Sequence, residues 1–305
     1  MLRRKDEFCL EKQNNNSKYV RIIKGLYRFI RPQEKGICIV TGADSNLFQN
    51  SKMLLGSWMK HLPDIPFIYC DFGLNDTERD KLLSIPNLRL VRLHEDKYNG
   101  GWECKANLYH YLDKIQCLSN IIIWIDADAL ILKKFPPIES LIHGYDMLID
   151  VHIQSIGEIV HIENIEALNL NPFDSYFSSG FWILNKPSFL KTWSLLVEKV
   201  KFQGNLWEND AFVAAIYHDK LKVRPINGNI WHCRGMTSLQ TCTVKNENLY
   251  YEKFPIFILH ANAFYTTESD GKRIFERKEI AAIQKEYEQI FLIKSRPSDQ
   301  ISHRT

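Results

Sequence analysis

Two carboxylates separated by a single residue, Asp126 and Asp128, are the pair in this sequence whose type and spacing most directly permit chemistry. They follow the apolar run IIIWI at residues 121–125, which predicts a buried strand. Residues i and i+2 of a strand point to the same side, so the carboxylates converge if the strand runs as far as Asp128 or if the next turn bends back. Such a pair repels unless a cation lies between the two groups.

A cation held by this pair would belong to a recognisable class. Hard divalent ions prefer oxygen ligands, so the pair favours Mg²⁺ or Mn²⁺ with diphosphate oxygens completing the shell. A D-x-D sequence also occurs in solvated turns, where its carboxylates only cap a helix. The position of the pair directly after an apolar strand favours the cation site.

The segments before this pair alternate between strand-like and helix-like patterns from residue 36 onward. Predicted strands lie at 36–42, 66–71 and 87–93, and predicted helices at 47–62, 75–84 and 103–116. Repeated β-α-β units imply an α/β fold with a mainly parallel, doubly wound sheet flanked by helices, whose ligands bind beyond the carboxyl ends of the strands. Asp126 and Asp128 lie at such an end.

The second half of the chain is less regular. Predicted strands lie at 145–151, 179–185 and 255–261, and predicted helices at 187–202, 208–218 and 273–293. No internal repeat or low-complexity tract separates the two halves. We therefore expect one catalytic domain over residues 36–293, whose second half builds the acceptor side, followed by a polar tail at 294–305.

Basic and apolar residues alternate at helical spacing in the segment SKYVRIIKGLYRFIR, residues 17–31. This predicts a basic amphipathic helix within an N-terminal extension at residues 1–35. Such a helix can make a peripheral contact with an anionic membrane surface. An ordinary surface helix docked on the domain has the same pattern, so both interpretations stay open.

Composition and charge exclude several classes of protein. A hydrophobic content of 45% is enough for a full core, and 39 Lys and Arg against 36 Asp and Glu leave no charge pattern for nucleic-acid binding. No run approaches the ~20 apolar residues of a membrane span, and the first residues lack the apolar stretch of a secretory signal. The 7 cysteines are scattered and never form a C-x-x-C pair, which argues against disulfides and structural zinc. We expect a cytoplasmic protein.

The segment LSNIIIWIDADALILKKFPPI resembles the D-x-D segment of GT-A fold glycosyltransferases, particularly family 8-like enzymes that use nucleotide-sugar donors. Further segments resemble the same enzymes in order and spacing. They are the first strand, helix and second strand from ICIVTGADSNLF to FIYCDFGLNDTERDKL, then GGWECKANLYHYL, YFSSGFWILNKPSF, WENDAFVAAI and FILHANA. Together they cover residues 36–265.

The resemblance implies a role for each matching residue. It implies that Asp126, Asp128 and His260 bind Mn²⁺ (or Mg²⁺). Residues implied to contact the nucleotide-sugar donor are Thr41, Ala43, Asp44, Lys105, Asp126, Ala127, Asp128, Ser178 and Gly180. Asp44 would accept from a uracil N–H, and Lys105 would place positive charge near the phosphates. Ordinary turn, surface or strand-end positions account for the same residue types.

The sequence departs from the family pattern in three places. SSG at 178–180 replaces Asn-Ala-Gly, and END at 208–210 replaces Asp-Gln-Asp. In the second segment the implied catalytic residues are Glu208 on the sugar hydroxyls or acceptor, Asn209 in place of the glutamine, and Asp210 as the second acid. The glycine and lysine that usually follow the histidine have no counterpart after His260, and Lys272 or Arg273 from a longer loop would have to substitute.

The function implied by the resemblance is metal-dependent transfer of a sugar from a nucleotide diphosphate sugar, with UDP favoured, to a hydroxyl of a glycan or glycolipid. Family 8 enzymes retain the anomeric configuration, whereas an inverting enzyme would need a carboxylate base such as Glu208 or Asp210. Two alternatives stay open. One is a non-catalytic nucleotide-sugar or glycan binding module on the same fold, and the other is a haloacid-dehalogenase-type phosphatase, which also places D-x-D after an apolar strand.

Tryptophans near the expected site offer flat faces on which a sugar could stack. They are Trp102, Trp182, Trp207 and Trp231. Packing in the core explains a tryptophan equally well.

Overall fold

The computed structural model describes residues 36–93, 102–117, 119–200, 207–234, 241–245, 248–261 and 265–295. The predicted N-terminal helix at 17–31 and the tail from residue 296 lie outside the described residues.

The strands of the described residues are numbered in chain order. They are β1 Ile37–Ala43, β2 Phe67–Asp71, β3 Leu88–Arg92, β4 Ile121–Ile125, β5 Ala129–Ile131, β6 Met147–Ser155, β7 Ser175–Leu184, β8 Val223–Ile226, β9 Thr243–Lys245, β10 Asn248–Tyr251, β11 Phe254–Pro255, β12 Ile258–His260, β13 Tyr265–Thr267 and β14 Arg273–Phe275.

The helices are numbered in the same way, and a 3₁₀ helix at Trp102–Asn107 precedes the third of them. They are α1 Phe48–His61, α2 Asp76–Leu83, α3 Leu108–Lys114, α4 Ile138–Ile142, α5 Ile156–Ile159, α6 Ile162–Leu168, α7 Phe189–Val200, α8 Trp207–His218, α9 Gly228–Trp231 and α10 Lys278–Lys294. None of these described helices combines the length and the apolar character needed to cross a bilayer.

A seven-stranded sheet in the order β3-β2-β1-β4-β7-β6-β8 forms the centre of the described structure. β7 runs antiparallel to its neighbours β4 and β6, and the other neighbouring pairs are parallel. All five residues of β4 are buried, as expected for a central strand covered on both faces. The sequence prediction of a mainly parallel sheet flanked by helices is therefore confirmed.

Two cores explain the alternation of large side chains along these strands. On one face Val40, Trp124 and Trp182 pack with the apolar residues of α3, α7 and α8. On the other face Ile39 and Ile123 pack with the apolar side chains of α1 and with those near the end of α10. Successive strand residues point to opposite faces, so a strand that is apolar on both sides must lie between two layers of helices.

A short antiparallel pair, β5 with β12, lies outside the large sheet. His260 is the residue opposite Ala129 in this pair. The chain leaves β4, turns through Asp126 and Asp128, and enters β5 directly, so β12 brings a histidine beside the turn. The position of the late strand in the sequence gives no hint of this register.

The prediction of one helix over 273–293 is wrong at its beginning. Arg273–Phe275 is strand β14, paired with β13, and α10 begins only at Lys278. Side chains of neighbouring elements also bond to the backbone of this strand, because Asn50 Oδ1 accepts from Arg273 N at 2.8 Å and Gln284 Nε2 donates to Arg273 O at 2.9 Å. Tertiary pairing therefore overrides the helical pattern here.

Candidate functional site

The two carboxylates of the D-x-D segment lie on a turn that follows β4. Ala129 N donates to Asp126 O at 3.0 Å, which closes the turn, and Asp126 N donates to Gly180 O at 3.0 Å, which ties its start to β7. Of the two geometries left open by the sequence, the structure has the turn that bends back. Asp126 and Asp128 are both half-buried, and the Asp128 side chain is the less exposed of the two.

His260 faces both carboxylates from β12. Its Nε2 is 2.8 Å from Asp128 Oδ1 and 3.8 Å from Asp126 Oδ2. One ligand atom from each of the three side chains lies within 4.8 Å of the other two. Two carboxylates and an imidazole form a donor set that suits Mn²⁺ and accommodates Mg²⁺, so the residues present fit a divalent cation.

Charges around Asp128 are balanced by cations on two sides. Asp128 Oδ1 contacts His260 Nε2, and Asp128 Oδ2 accepts from Arg273 Nη1. Burial would raise the pKa of Asp128, but His260 and Arg273 hold it below its usual range. Burial would lower the pKa of His260, yet the same carboxylate raises it above the ordinary value. Each of these two side chains therefore favours the charged form of the other.

Lys105 supplies a buried positive charge on the side of Asp126. Its Nζ lies 3.3 Å from Asp126 Oδ1, 2.9 Å from Ser179 Oγ and 3.7 Å from Glu208 Oε1. Burial would lower the pKa of Lys105, but the carboxylates of Asp126 and Glu208 raise it above its ordinary value. The sequence also allowed Lys105 to be an ordinary solvated lysine, but only 6% of the residue is exposed in the structure.

Glu208, at the start of α8, is a buried carboxyl beside this lysine. Burial raises its pKa to about 7, with Lys105 acting in the opposite direction and Asp126 in the same direction as burial. Ser179 Oγ donates to Glu208 Oε2 at 3.5 Å. Apart from the ion pair with Lys105, Glu208 Oε1 has no hydrogen-bond partner among the described residues. A polar atom of this kind is suited to a hydroxyl of a bound molecule.

The three side chains of the END segment, Glu208, Asn209 and Asp210, contact different parts of the structure. Asn209 uses its amide on the backbone of β7, accepting from Ser179 N at 2.7 Å and donating to Phe177 O at 2.8 Å. Asp210 is buried and accepts from Asn164 Nδ2 at 2.7 Å and Tyr176 OH at 3.0 Å. Of the three predicted catalytic side chains, Glu208 is therefore the one that contacts the Lys105 and Asp126 group.

The SSG segment lies on β7 directly beside the D-x-D turn. Ser178 is buried and its Oγ accepts from Gly180 N at 3.4 Å. A Cβ on Gly180 would lie 2.9 Å from two ring atoms of His232 and 3.0 Å from Asp126 Oδ2. The glycine is therefore required for a close approach of β7 to the site. The hydroxyl that contacts Lys105 belongs to Ser179, a residue for which the sequence predicted no role.

The predicted nucleotide contacts at the end of β1 are placed at the same edge of the sheet, since β1 and β4 are parallel neighbours. Thr41 is buried and donates to Ile125 O at 2.7 Å, and Ala43 is buried as well. Asp44 Oδ1 accepts from Asn46 N at 3.0 Å and Leu47 N at 3.1 Å, so it shapes the turn into α1. Asp44 is half-buried, whereas the Thr41 side chain is committed to the sheet.

Lys272 and Arg273 were the expected substitutes for the lysine that usually follows the histidine. In the structure their side chains have different partners. Lys272 Nζ pairs with Glu288 Oε2 at 2.9 Å and Glu268 Oε2 at 3.5 Å, away from the site. Arg273 contacts Asp128 and also donates to Ala261 O at 3.0 Å. It also lies over the Tyr265 ring, with its guanidinium carbon 4.9 Å from the centroid.

Tryptophan stacking on a sugar finds little support in the described side chains. Trp182 is 0% exposed and stacks on Trp124 with ring centroids 6.2 Å apart, so it belongs to the core. Trp231 packs on Phe257 with centroids 4.5 Å apart. The side chains of Trp102 and Trp207 lie outside the described part of the structure.

Sequence reasoning missed a second histidine next to the first. His232 is buried, and its Nε2 lies 2.8 Å from His260 Nδ1. Burial lowers the pKa of His232 to about 4, with Asp150 acting in the opposite direction and His260 in the same direction as burial. No spacing rule points to this pair, because the two residues are 28 positions apart and meet through backbone bonds between Cys233 and β12.

Comparison with known proteins identifies the fold. No protein-family model matches the sequence, and no curated protein sequence matches it either. Among solved structures, the galactosyltransferase LgtC in complex with donor and acceptor sugar analogues is similar, with a TM-score of 0.56 at 14% identity, over 86% of this chain and 98% of LgtC.

Two further solved structures are similar to the chain. GlyE, a glycosyltransferase of Streptococcus pneumoniae, has a TM-score of 0.53 at 9% identity, over 88% of this chain and 65% of GlyE. The bifunctional glycosyltransferase WbbM has a TM-score of 0.51 at 15% identity, over 76% of this chain and 46% of WbbM. At these identities the likeness establishes the fold, and the chain has the GT-A fold.

Proposed function

We propose that this protein is a metal-dependent glycosyltransferase that moves a sugar from a nucleotide diphosphate sugar, with UDP favoured, to a hydroxyl of a glycan or glycolipid. The observation that carries the proposal is the convergence of Asp126, Asp128 and His260 at the carboxyl edge of a GT-A sheet. Ligands of open α/β sheets bind at this edge. The fold alone would not decide the function, so the site geometry is the main support.

The proposed metal is Mn²⁺ or Mg²⁺, held by Asp126, Asp128 and His260 together with the donor diphosphate. When bound, such an ion stabilises the negative charge of the departing diphosphate as a Lewis acid. Lys105 contacts Asp126 and Arg273 contacts Asp128, so two fixed cations flank the carboxylate pair. Preorganised positive charges of this kind act where negative charge develops during transfer.

Glu208 is the proposed contact for a hydroxyl of the donor sugar or of the acceptor. Its pKa of about 7 leaves it able to donate as a carboxylic acid or accept as a carboxylate near neutral pH. Asp210 is a weaker candidate for an inverting base, because Asn164 and Tyr176 already occupy both of its oxygens. The resemblance to family 8 enzymes favours retention of configuration, and Glu208 is the carboxylate that an inverting mechanism would use as its base.

Two other functions make different demands on the same residues. A haloacid-dehalogenase-type phosphatase would carry its D-x-D after the first strand, whereas this pair follows β4. A non-catalytic binding module would bind a nucleotide sugar and leave it intact. The ion pairs of Lys105 with Asp126 and of Arg273 with Asp128 favour a site built for a charged leaving group.

Donor turnover tests the proposal. The purified full chain is incubated with a panel of nucleotide sugars and glycan or glycolipid acceptors, and release of the nucleotide diphosphate is measured with Mn²⁺ and with EDTA. We expect release that needs both a nucleotide sugar and Mn²⁺, and we expect Asp128→Asn to reduce it at least a hundredfold. The matched control, His61→Phe, alters a half-buried histidine bonded to Tyr287 and should keep wild-type release.

Three results would contradict this function. Full metal-dependent release by Asp128→Asn would remove the D-x-D pair from the mechanism. Binding of nucleotide sugars without release or transfer, across the whole panel, would indicate the binding module. Release of inorganic phosphate from simple phosphate esters would indicate the phosphatase.

A further inference from the structure

A chain of buried polar side chains runs from the metal cluster into the protein. His260 Nδ1 lies 2.8 Å from His232 Nε2, and His232 Nδ1 lies 3.4 Å from Asp150 Oδ2. Arg234 Nε donates to the same Asp150 oxygen at 3.0 Å. His232 is 1% exposed and Asp150 is 6% exposed. Burying polar groups costs free energy unless they are hydrogen-bonded, and these side chains satisfy one another. Because an apolar core would avoid that cost, we expect that this chain is present for a functional reason.

The direction of the hydrogen bonds along this chain follows from its outer end. Asp150 is a carboxylate that receives a bond from Arg234, and a carboxylate can only accept, so His232 must donate through Nδ1. A neutral imidazole that donates through one nitrogen accepts through the other. His232 Nε2 is then an acceptor, and His260 must donate to it through Nδ1.

The consequence for His260 is a fixed tautomer. A cation would bind the neutral imidazole, in which the proton stays on Nδ1 and the lone pair is on Nε2. Nε2 is the atom that faces Asp128 Oδ1 at 2.8 Å and Asp126 Oδ2 at 3.8 Å. The lone pair therefore points at the place where the carboxylates would hold a cation.

Packing fixes the rings as firmly as the hydrogen bonds do. The His232 and His260 rings stack with centroids 4.9 Å apart and planes 26° apart. Gly180 lies against one side of His232, where a Cβ would be 2.9 Å from the ring. Gly228 lies against Asp150, where a Cβ would be 2.3 Å from Oδ1. Two glycines thus leave just enough room for the chain of side chains.

We propose that His232 and Asp150 are positioning residues that hold His260 with its Nε2 lone pair directed at the metal ion. This inference rests on the metal-dependent function proposed above. Neither residue belongs to the set of Asp126, Asp128 and His260, so both would act through His260. Partners that orient a ligating histidine typically contribute 10- to 100-fold to metal affinity, and we expect an effect of about that size for His232.

The test is a titration of Mn²⁺ into the full-length protein, with and without UDP, followed by the electron paramagnetic resonance signal of free Mn²⁺. His232→Phe keeps a ring in the stack and removes both hydrogen bonds, so we expect Mn²⁺ affinity to fall at least tenfold. His232→Gln carries an acceptor oxygen and a donor N–H that can replace the two ring nitrogens, and we expect affinity within threefold of wild type. A purely packing role for His232 would give the opposite order.

Controls separate this inference from the proposed function. His61→Phe removes a half-buried histidine that ends α1 and contacts Tyr287, and it should leave Mn²⁺ affinity unchanged. Wild-type protein that binds no Mn²⁺ would overturn the metal-dependent function itself. Wild-type binding together with equal binding by His232→Phe would overturn the positioning role alone. If His232→Phe does not fold, Asp150→Asn is the deciding variant. It removes the negative charge that sets the direction of the hydrogen bond from His232, so we expect Mn²⁺ affinity to fall at least threefold. Unchanged Mn²⁺ affinity would refute the positioning role.

Discussion

A methyl group at residue 180 would press on two parts of the site at once. In Gly180→Ala the new Cβ would lie 2.9 Å from His232 Cε1 and Nε2 and 3.0 Å from Asp126 Oδ2. Favourable contacts between carbon atoms are about 3.5–4.0 Å long, so each neighbour must move by roughly half an ångström or more. The His232 ring cannot move freely, because it stacks on His260 with centroids 4.9 Å apart.

The magnitude follows from this crowding. Overpacking a well-filled interior costs about 1–3 kcal/mol, and we expect Gly180→Ala to lower the free energy of unfolding by an amount in that range. The clash lies between a metal-ligand carboxylate and the ring that holds His260, so Mn²⁺ affinity should fall by about tenfold as well. A tenfold loss corresponds to about 1.4 kcal/mol of binding free energy.

Urea unfolding and Mn²⁺ titration of the same preparations measure both effects. Gly157→Ala is the matched control, since its Cβ would lie 2.9 Å from Pro172 Cβ but would touch no residue of the metal cluster. We expect the control to change stability and to keep wild-type Mn²⁺ affinity. Equal Mn²⁺ affinity in Gly180→Ala and wild type would refute the reasoning, and so would an equal loss in Gly157→Ala.

Three further predictions concern the surroundings of the site. The pKa of Glu208 is raised to about 7 from an ordinary 4.5, which means that the folded state binds this proton more tightly than the unfolded state does. The free energy of unfolding should therefore fall as pH rises from about 4.5 to 7, by up to about 3 kcal/mol. Urea unfolding of Glu208→Gln should lack that decline, and an identical pH dependence would count against the buried carboxyl. Arg273→Met should weaken UDP binding in the presence of Mn²⁺ by about tenfold in calorimetry, because it removes the guanidinium beside Asp128. Lys272→Met should leave UDP binding unchanged, because the Lys272 ammonium pairs with Glu288, and equal losses in the two variants would refute the distinction. Asn75→Ala breaks the capping box of α2 and should cost about 1 kcal/mol in urea unfolding without changing UDP binding; unchanged stability would contradict the cap.

Local patterns predicted the strand and the carboxylate pair well. IIIWI is a fully buried central strand because its apolar run matches a position covered on both faces. The D-x-D pair lies at its carboxyl end, as the β-α-β order required. The capping box at Asn75 is likewise a contact between neighbouring residues, since Glu78 follows three positions later.

Contacts between distant segments could not be predicted in this way. Arg273 was assigned to a helix, and its position beside Asp128 depends on pairing between β13 and β14. The partnership of His232 with His260 depends on backbone bonds between Cys233 and β12. The END segment predicted three site residues, yet a helix start directs consecutive side chains to different faces. Only Glu208 of the three therefore meets Lys105.

Metal-dependent nucleotide binding tests the central claim most directly. Isothermal titration of UDP into wild-type protein and into Asp128→Asn, each with Mn²⁺ and with EDTA, measures whether the carboxylate pair and the nucleotide share an ion. We expect Mn²⁺ to raise the affinity of the wild type for UDP at least tenfold and to have no such effect on Asp128→Asn. Equal UDP affinity of the wild type in Mn²⁺ and in EDTA would contradict the assignment of Asp126, Asp128 and His260 as a metal site that binds the donor.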